Sequence, residues 1–387
     1  MSTICTRCAL RLQRAAQNDV LLRAAQNNVP LHAAKRTFSQ ATARRKQHGV
    51  PKFTETSSAE LNDVLLSMRE KHFIPAYLNN HERHLIFGTK HKQFVEDNPP
   101  VITIADEDIE LKWIDRRTEI PNRTKLFHEA LDLIYESDDP KAWAQLLKIL
   151  IGMKRAKALS KLETRAFGKI VRKAAEAGRL RIVIQCFLQS ELTGMTLRNS
   201  ELLDQLVWGL HDIAQRSGWE KEAVQKALKD ANVVARMLET EEHGGGKYVE
   251  RDDPRRRPEI IGVFLELAAV NAYKHWNGED RDGTVRVYAD RLLSCLDANL
   301  DAVSIPQEPV PKGPQYAILH AVPTWHGLHL ADKILKDDMP QRQRAQDVAK
   351  QYEQGISGLI STIERQNPSE GSYGDQALRA WRDCIRD

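Results

Sequence analysis

The sequence predicts a mostly α-helical protein: a helical-hairpin array preceded by a small N-terminal α+β module with one β-hairpin. Three observations carry this. From Thr124 onward apolar residues recur at helical spacing, as in Leu126, Phe127, Ala130, Leu131 and Ile134. Capping residues punctuate these stripes and divide them into successive pairs of helices. The β-type runs are confined to Val101–Ile104 and Ile109–Ile114, joined by the acidic tip Asp106-Glu107-Asp108.

The first fifty residues stand apart. They hold nine basic side chains and one acid, Asp19, and are rich in Ala, Leu, Arg and Gln. This is the composition of a mitochondrial transit peptide, and the continuous apolar core of a secretory signal is missing. Arg36-Thr37-Phe38-Ser39 resembles the matrix-processing pattern with cleavage after the aromatic residue. Residues 1–38 are therefore read as a transit peptide and the mature protein as a resident of the mitochondrial matrix. Cys5-x-x-Cys8 falls in the removed segment, and Cys186, Cys295 and Cys384 are isolated, as free thiols are in a reducing compartment. His81 and His84 are three residues apart, whereas a zinc-binding His-Glu-x-x-His helix needs four. No metal and no cofactor is expected.

Along the mature chain, residues 39–60 read as an extended basic arm whose Arg44, Arg45 and Lys46 suit a phosphate backbone. Residues 61–123 form the mixed module. Its helices begin with the stripe Leu61, Val64, Leu65 and Met68, and Asn98-Pro99-Pro100 breaks the pattern before the hairpin. Residues 124–242 form the hairpin array. There Asp139-Pro140 starts one helix, Ser160-x-x-Glu163 is a capping box for the next, and helices follow at 179–192, 199–216 and 219–241. Residues 243–257 read as a flexible loop. Residues 258–387 form a C-terminal helical region with helices at 258–276, 283–298, 324–336, 341–366 and 373–385. A Pro-rich extended connector spans 304–323. No apolar run reaches the roughly 18 residues of a membrane span.

The net charge of +4 conceals an uneven distribution. Lys154–Arg181 contains ten basic residues against Glu163 and Glu176. On a helical projection Lys161, Arg165, Lys169 and Arg172 gather on one side, with Leu162, Ala166, Phe167, Ile170, Val171 and Ala174 opposite. Such a row suits RNA, with acidic protein partners as the competing reading. The candidate RNA contacts are Lys154, Arg155, Lys157, Lys161, Arg165, Lys169, Arg172 and Lys173, joined by Arg83, Lys90 and Lys92 in the module. Walker loop, dinucleotide fingerprint and nucleophile elbow are all missing, and His243-Gly244-Gly245-Gly246 reads as a linker. An enzyme with a small-molecule substrate is not indicated.

Two resemblances add to this. Thr164–Gly178 followed by Arg179–Gly194, with Ala177-Gly178-Arg179-Leu180 at the turn, resembles one pentatricopeptide repeat. The stretch His72–Arg123, including His84-Leu85-Ile86-Phe87-Gly88-Thr89-Lys90-His91-Lys92 and Ile109-Glu110-Leu111-Lys112-Trp113, resembles the core of a fungal mitochondrial large-subunit ribosomal protein. The second resemblance implies a structural component of the mitochondrial ribosome, large subunit favoured. Its partners would be mitochondrial rRNA and neighbouring mitochondrial ribosomal proteins, and the long helical half would be a surface extension. The alternative is a pentatricopeptide-type factor for processing, stability or translation of mitochondrial mRNAs. Such a reader needs several consecutive repeats, and one is convincing here.

Overall fold

Ser58 caps the first helix, α1 (Ala59–Met68), its hydroxyl accepting from the Leu61 amide at 3.2 Å. The predicted stripe Leu61, Val64, Leu65 and Met68 is its buried face. The computed structural model describes residues 49–159, 164–246, 248–249, 253–296 and 313–385. The transit-peptide segment, Arg44, Arg45 and Lys46 of the arm, and the capping box at 160–163 lie outside the described residues. The described end of the arm is packed: Val50 is buried, and the Gln145 side-chain amide accepts from the Thr54 N–H and donates to the Thr54 hydroxyl.

After α1 the chain passes through a π-turn into α2 (Ile74–Tyr77), α3 (Asn80–Phe87) and α4 (Lys92–Asp97). The hairpin pairs β1 (Val101–Ile104) with β2 (Glu107–Glu110), Val101 opposite Glu110 and Ile104 opposite Glu107. The predicted second strand and acidic tip are thus corrected. The turn is Ala105-Asp106, with Ala105 in the left-handed region at φ 56°. This two-residue turn closes the ladder early and takes Glu107 and Asp108 into the strand. Arg69 anchors Glu107 there at 2.6 Å.

Three helical hairpins follow. The first is α5 (Arg123–Glu136) with α6 (Pro140–Arg155), the second α7 (Thr164–Glu176) with α8 (Leu180–Leu188). After the short α9 (Ser190–Thr193) comes the third, α10 (Ser200–Arg216) with α11 (Lys221–Leu238). Asp139 caps α6 and Pro140 opens it, as predicted. Gly178, at φ 66°, makes the turn between α7 and α8. The helix predicted over 179–192 breaks at Gln189, where Thr193 turns its hydroxyl back to the carbonyls of Cys186 and Gln189. Each hairpin covers its neighbour's apolar face, α7 against α10 and α6 against α8 and α9.

The predicted flexible loop 243–257 is pinned at its described residues. His243 is buried and accepts from the Leu197 amide at 3.1 Å. Arg255 is also buried, paired with Asp253 at 2.6 Å and Glu239 at 2.7 Å. A guanidinium is held below the surface only when carboxylates accompany it.

The C-terminal region contains α12 (Pro258–Val270), α13 (Thr284–Cys295), α14 (Pro314–Leu335), α15 (Arg342–Gln366) and α16 (Tyr373–Ile385). The predicted connector 304–323 is corrected over its described part, because α14 begins at Pro314 and carries Pro323 inside it. Proline at the first helical position forfeits no hydrogen bond. Pro323 costs about 3 kcal/mol in a helix interior. Burial offsets that cost, since α12, α15 and α16 wrap α14 from Ala317 to Ala331.

Glycines let α12 and α14 cross closely. A methyl group at Gly262 would meet the Thr324 Cα at 2.8 Å, and one at Gly327 would meet the Glu266 nitrogen at 2.9 Å. The crossing places fully buried Glu266 between two imidazoles, His211 Nδ1 at 2.5 Å and His326 Nδ1 at 2.8 Å. Burial pushes the Glu266 carboxyl up, and the imidazoles outweigh it, holding it down to about 2. Among the described residues no helix is long and apolar enough to cross a membrane.

Candidate nucleic-acid interface

The basic residues of the module converge through backbone pairing. Asn79 caps α3 in a reciprocal box with Glu82, and Gly88 ends the helix. The chain after β2 then runs back alongside: the Ile114 amide donates to the Ile86 carbonyl at 2.8 Å, and Trp113 Nε1 donates to the Gly88 carbonyl at 3.1 Å. Lys112 through Arg117 are thereby laid beside Phe87 through Lys92.

Aromatic rings organise the cations of this surface. Lys92 Nζ lies 4.8 Å from the Trp113 ring centre and 3.9 Å from Glu96. The Arg116 guanidinium lies 4.3 Å from the Phe87 ring centre. Lys90, Lys112 and Arg117 are exposed and form no ion pair with a described residue. The Arg117 amide and the Thr118 hydroxyl hold the Asp115 carboxyl below its ordinary value, which fixes the turn at 115–118. Phe94 is exposed at the same edge.

Arg83 takes a different part. Its Nε donates to the Pro75 carbonyl at 2.9 Å and its Nη2 to the Ala76 carbonyl at 3.3 Å, so it satisfies the end of α2. It is half-buried and tied to backbone rather than presented to a ligand.

The strip at 154–181 changes character once folded. Lys169 pairs with Asp132 at 2.8 Å and lies 5.3 Å over Tyr135. Arg172 bonds the Tyr373 hydroxyl at 3.0 Å and lies 3.9 Å from Glu176, and Lys173 pairs with Glu176 at 2.7 Å. Arg181 reaches Asp230 at 2.7 Å. Lys154 donates to the Ser190 carbonyl at 3.5 Å, and Arg155 lies 4.9 Å over Tyr77. Of the predicted row, Lys157 and Arg165 are exposed without an ion pair to a described residue, and Lys161 lies outside the described residues. The near single sign of the linear sequence is thus tempered by acids from other helices.

Sequence reasoning picked out Lys90 and Lys92 but missed Lys112, Trp113, Arg116 and Arg117. Their sequence signal, one lysine before a tryptophan and an arginine pair three residues after it, is local and weak. What gives it meaning is the pairing of Ile114 with Ile86.

A family model described as Mitochondrial ribosomal protein mS27 matches residues 36–383. A curated relative, the Small ribosomal subunit protein mS27 of Neurospora crassa, is 29% identical over 240 residues, which is 60% of this chain. The aligned part spans 59% of that relative's length. The expectation of a large-subunit protein is overturned by the relative's small-subunit name. The resemblance that carried it rested on 72–123, a short general likeness without a subunit-specific motif.

Proposed function

The chain belongs to the mitochondrial ribosomal protein mS27 family, and from that premise we propose that it is a structural component of the small mitochondrial ribosomal subunit. The rRNA contact falls to the surface around Lys90, Lys92, Lys112, Arg116 and Arg117. A ribosomal protein of this family is structural rather than enzymatic and works in the mitochondrial matrix. The match over 36–383 is the observation that carries the reading.

Charge and ring geometry support the rRNA contact. Each lysine or arginine that neutralises a phosphate releases condensed counterions, and cations already committed to carboxylates release few. Lys90 and Lys112 form no ion pair with a described residue, and Arg117 and Lys92 have only the surface carboxylates of Asp115 and Glu96 near them. Phe87 and Trp113 hold Arg116 and Lys92 in place, so little side-chain freedom is lost on binding. Lys157 and Arg165 supply a second, smaller contact, to which Lys161 is assigned from the sequence; Arg44, Arg45 and Lys46 of the arm are assigned a contact of their own. The faces of the helical array are assigned to neighbouring ribosomal proteins. Residues 1–38 serve as the transit peptide, a reading supported by their basic side chains against the one acid, Asp19. The messenger-RNA factor is not favoured, because the matching family is ribosomal.

Sedimentation of a mitochondrial lysate through a sucrose gradient tests the assignment. Co-migration with small-subunit rRNA through moderate salt is the expected result. Migration with the large subunit, or near the top of the gradient, overturns it. N-terminal sequencing of the purified mitochondrial protein should read from Ser39.

A further inference from the structure

Three helices that are far apart in the chain bring metal-binding donors to one buried point. Glu266 on α12, His326 on α14 and Cys384 on α16 are the one such trio among the described residues, their ligand atoms all within 4.8 Å of one another. Each is fully buried. Glu266 Oε1 lies 2.8 Å from His326 Nδ1 and 3.9 Å from Cys384 Sγ. The indole of Trp219 covers the cluster, its ring centre 5.7 Å from that of His211 and 5.5 Å from that of His326.

The other groups at this point are arranged to orient a ligand set. Gln215 Nε2 donates to the Ala380 carbonyl at 3.1 Å, so its Oε1 must face His211 Nε2, 3.1 Å away. Carbonyl oxygens only accept, hence His211 Nε2 donates to Gln215, and the 2.5 Å approach of His211 Nδ1 to Glu266 Oε2 requires a second proton between those two atoms. Oε2 is thereby occupied and Oε1 is turned toward His326 and Cys384. Gln215 Nε2 also lies 3.9 Å from Cys384 Sγ, where it can donate to a thiolate. The convergence of a carboxylate, an imidazole and a thiol, each carried by a different helix, is the geometry that a bound divalent cation would use.

We propose that Glu266 Oε1, a ring nitrogen of His326 and Cys384 Sγ form a zinc site with three protein ligands and a water as the fourth, oriented by His211 and Gln215. The mixture of oxygen, nitrogen and sulfur donors is the set zinc accepts. Tetrahedral bonds of about 2.0–2.3 Å separate ligand atoms by about 3.3–3.6 Å. Loading therefore parts Oε1 from the imidazole by about half an ångström and draws Sγ slightly inward, which side-chain rotation allows. On binding, the Cys384 thiol releases its proton to solvent, and the His326 ring stays neutral with its proton on the nitrogen that does not bind. The ion would fasten α16 to α12 and α14.

The test uses the full purified chain with zinc or cobalt alone as probe. After equilibration with excess zinc and dialysis, elemental analysis should find about one zinc per chain. The melting temperature should stand about 5–10 °C above that of the chelated protein. Cobalt should give a thiolate-to-cobalt charge-transfer band that Cys384→Ala removes. If Cys384→Ala does not fold, the variant Cys5→Ala/Cys8→Ala/Cys186→Ala/Cys295→Ala, whose one thiol is Cys384, serves instead: a retained band supports the site, and a lost band overturns it. A chain that retains no metal and melts at one temperature with and without zinc also overturns it.

Discussion

Lys169 donates to the Asp132 carboxylate at 2.8 Å, so the cationic row of α7 is tied to α5 by an acid 37 residues away in sequence. Exposed pairs of this kind contribute little to stability, about 0–1 kcal/mol. Their consequence for function is larger, because a lysine already facing a carboxylate offers a phosphate little new attraction. Lys112 forms no ion pair with a described residue, and Arg117 has only the partly exposed Asp115 carboxylate near it.

RNA affinity should therefore follow the module and not the row. Lys112→Ala or Arg117→Ala should weaken binding to small-subunit rRNA and lower the slope of log affinity against log salt by about one. Lys169→Ala should change affinity less than about twofold, because the same substitution releases Asp132. Fluorescence anisotropy across a salt series measures both, and the reverse ranking would restore the α7 row as the main contact.

Arg83→Ala should act on stability instead of RNA. Its guanidinium is the donor for the Pro75 and Ala76 carbonyls at the end of α2. Losing a charge-assisted pair of this kind costs about 2 kcal/mol. Urea unfolding should show a lower midpoint with an unchanged slope, while the folded protein binds RNA as before.

Gly327→Ala and Gly178→Ala separate two roles of glycine. At Gly327 the added methyl meets the Glu266 nitrogen at 2.9 Å, inside the α12–α14 crossing, and overpacking there should cost about 3 kcal/mol. At Gly178 nothing lies within 4 Å of that methyl and only the left-handed backbone at φ 66° resists, for about 1 kcal/mol. Thermal denaturation of the two variants should rank them in that order.

His72 should give the protein a soft acid limb. Burial, joined by the neighbouring Arg123 charge, lowers its pKa from 6.5 to about 4, and Arg123 Nε points at Nδ1 from 3.4 Å. The folded state thus holds the ring neutral. Above pH 6.5 the contribution is fully present, and between pH 6.5 and 4 the unfolded chain binds the proton and stability declines. His72→Gln should flatten the decline of the urea midpoint over that window. An unchanged decline would assign it to other groups.

Much of the fold could be read residue by residue. The stripe of α1, the Asp139-Pro140 start of α6 and the Gly178 turn are local events, settled by neighbours three or four residues apart. The errors arose where distant contacts overruled a local signal. Pro323 reads as a breaker, yet it lies inside α14 because three helices bury that segment. Residues 243–257 read as a linker, yet Arg255 is sunk between Asp253 and Glu239.

The candidate surface divides in the same way. Sequence by itself determined the helical class, the α+β module, the basic character of 154–181 and the presence of Lys90 and Lys92. Tertiary structure decided which cations remain available, because Asp132 and Asp230 meet Lys169 and Arg181 across 37 and 49 residues. It also decided that Glu266, His326 and Cys384 share one buried point. Helical periodicity is a property of adjacent residues and survives in a linear reading. Charge neutralisation and ligand convergence depend on distances between segments, which exist only after the helices have packed.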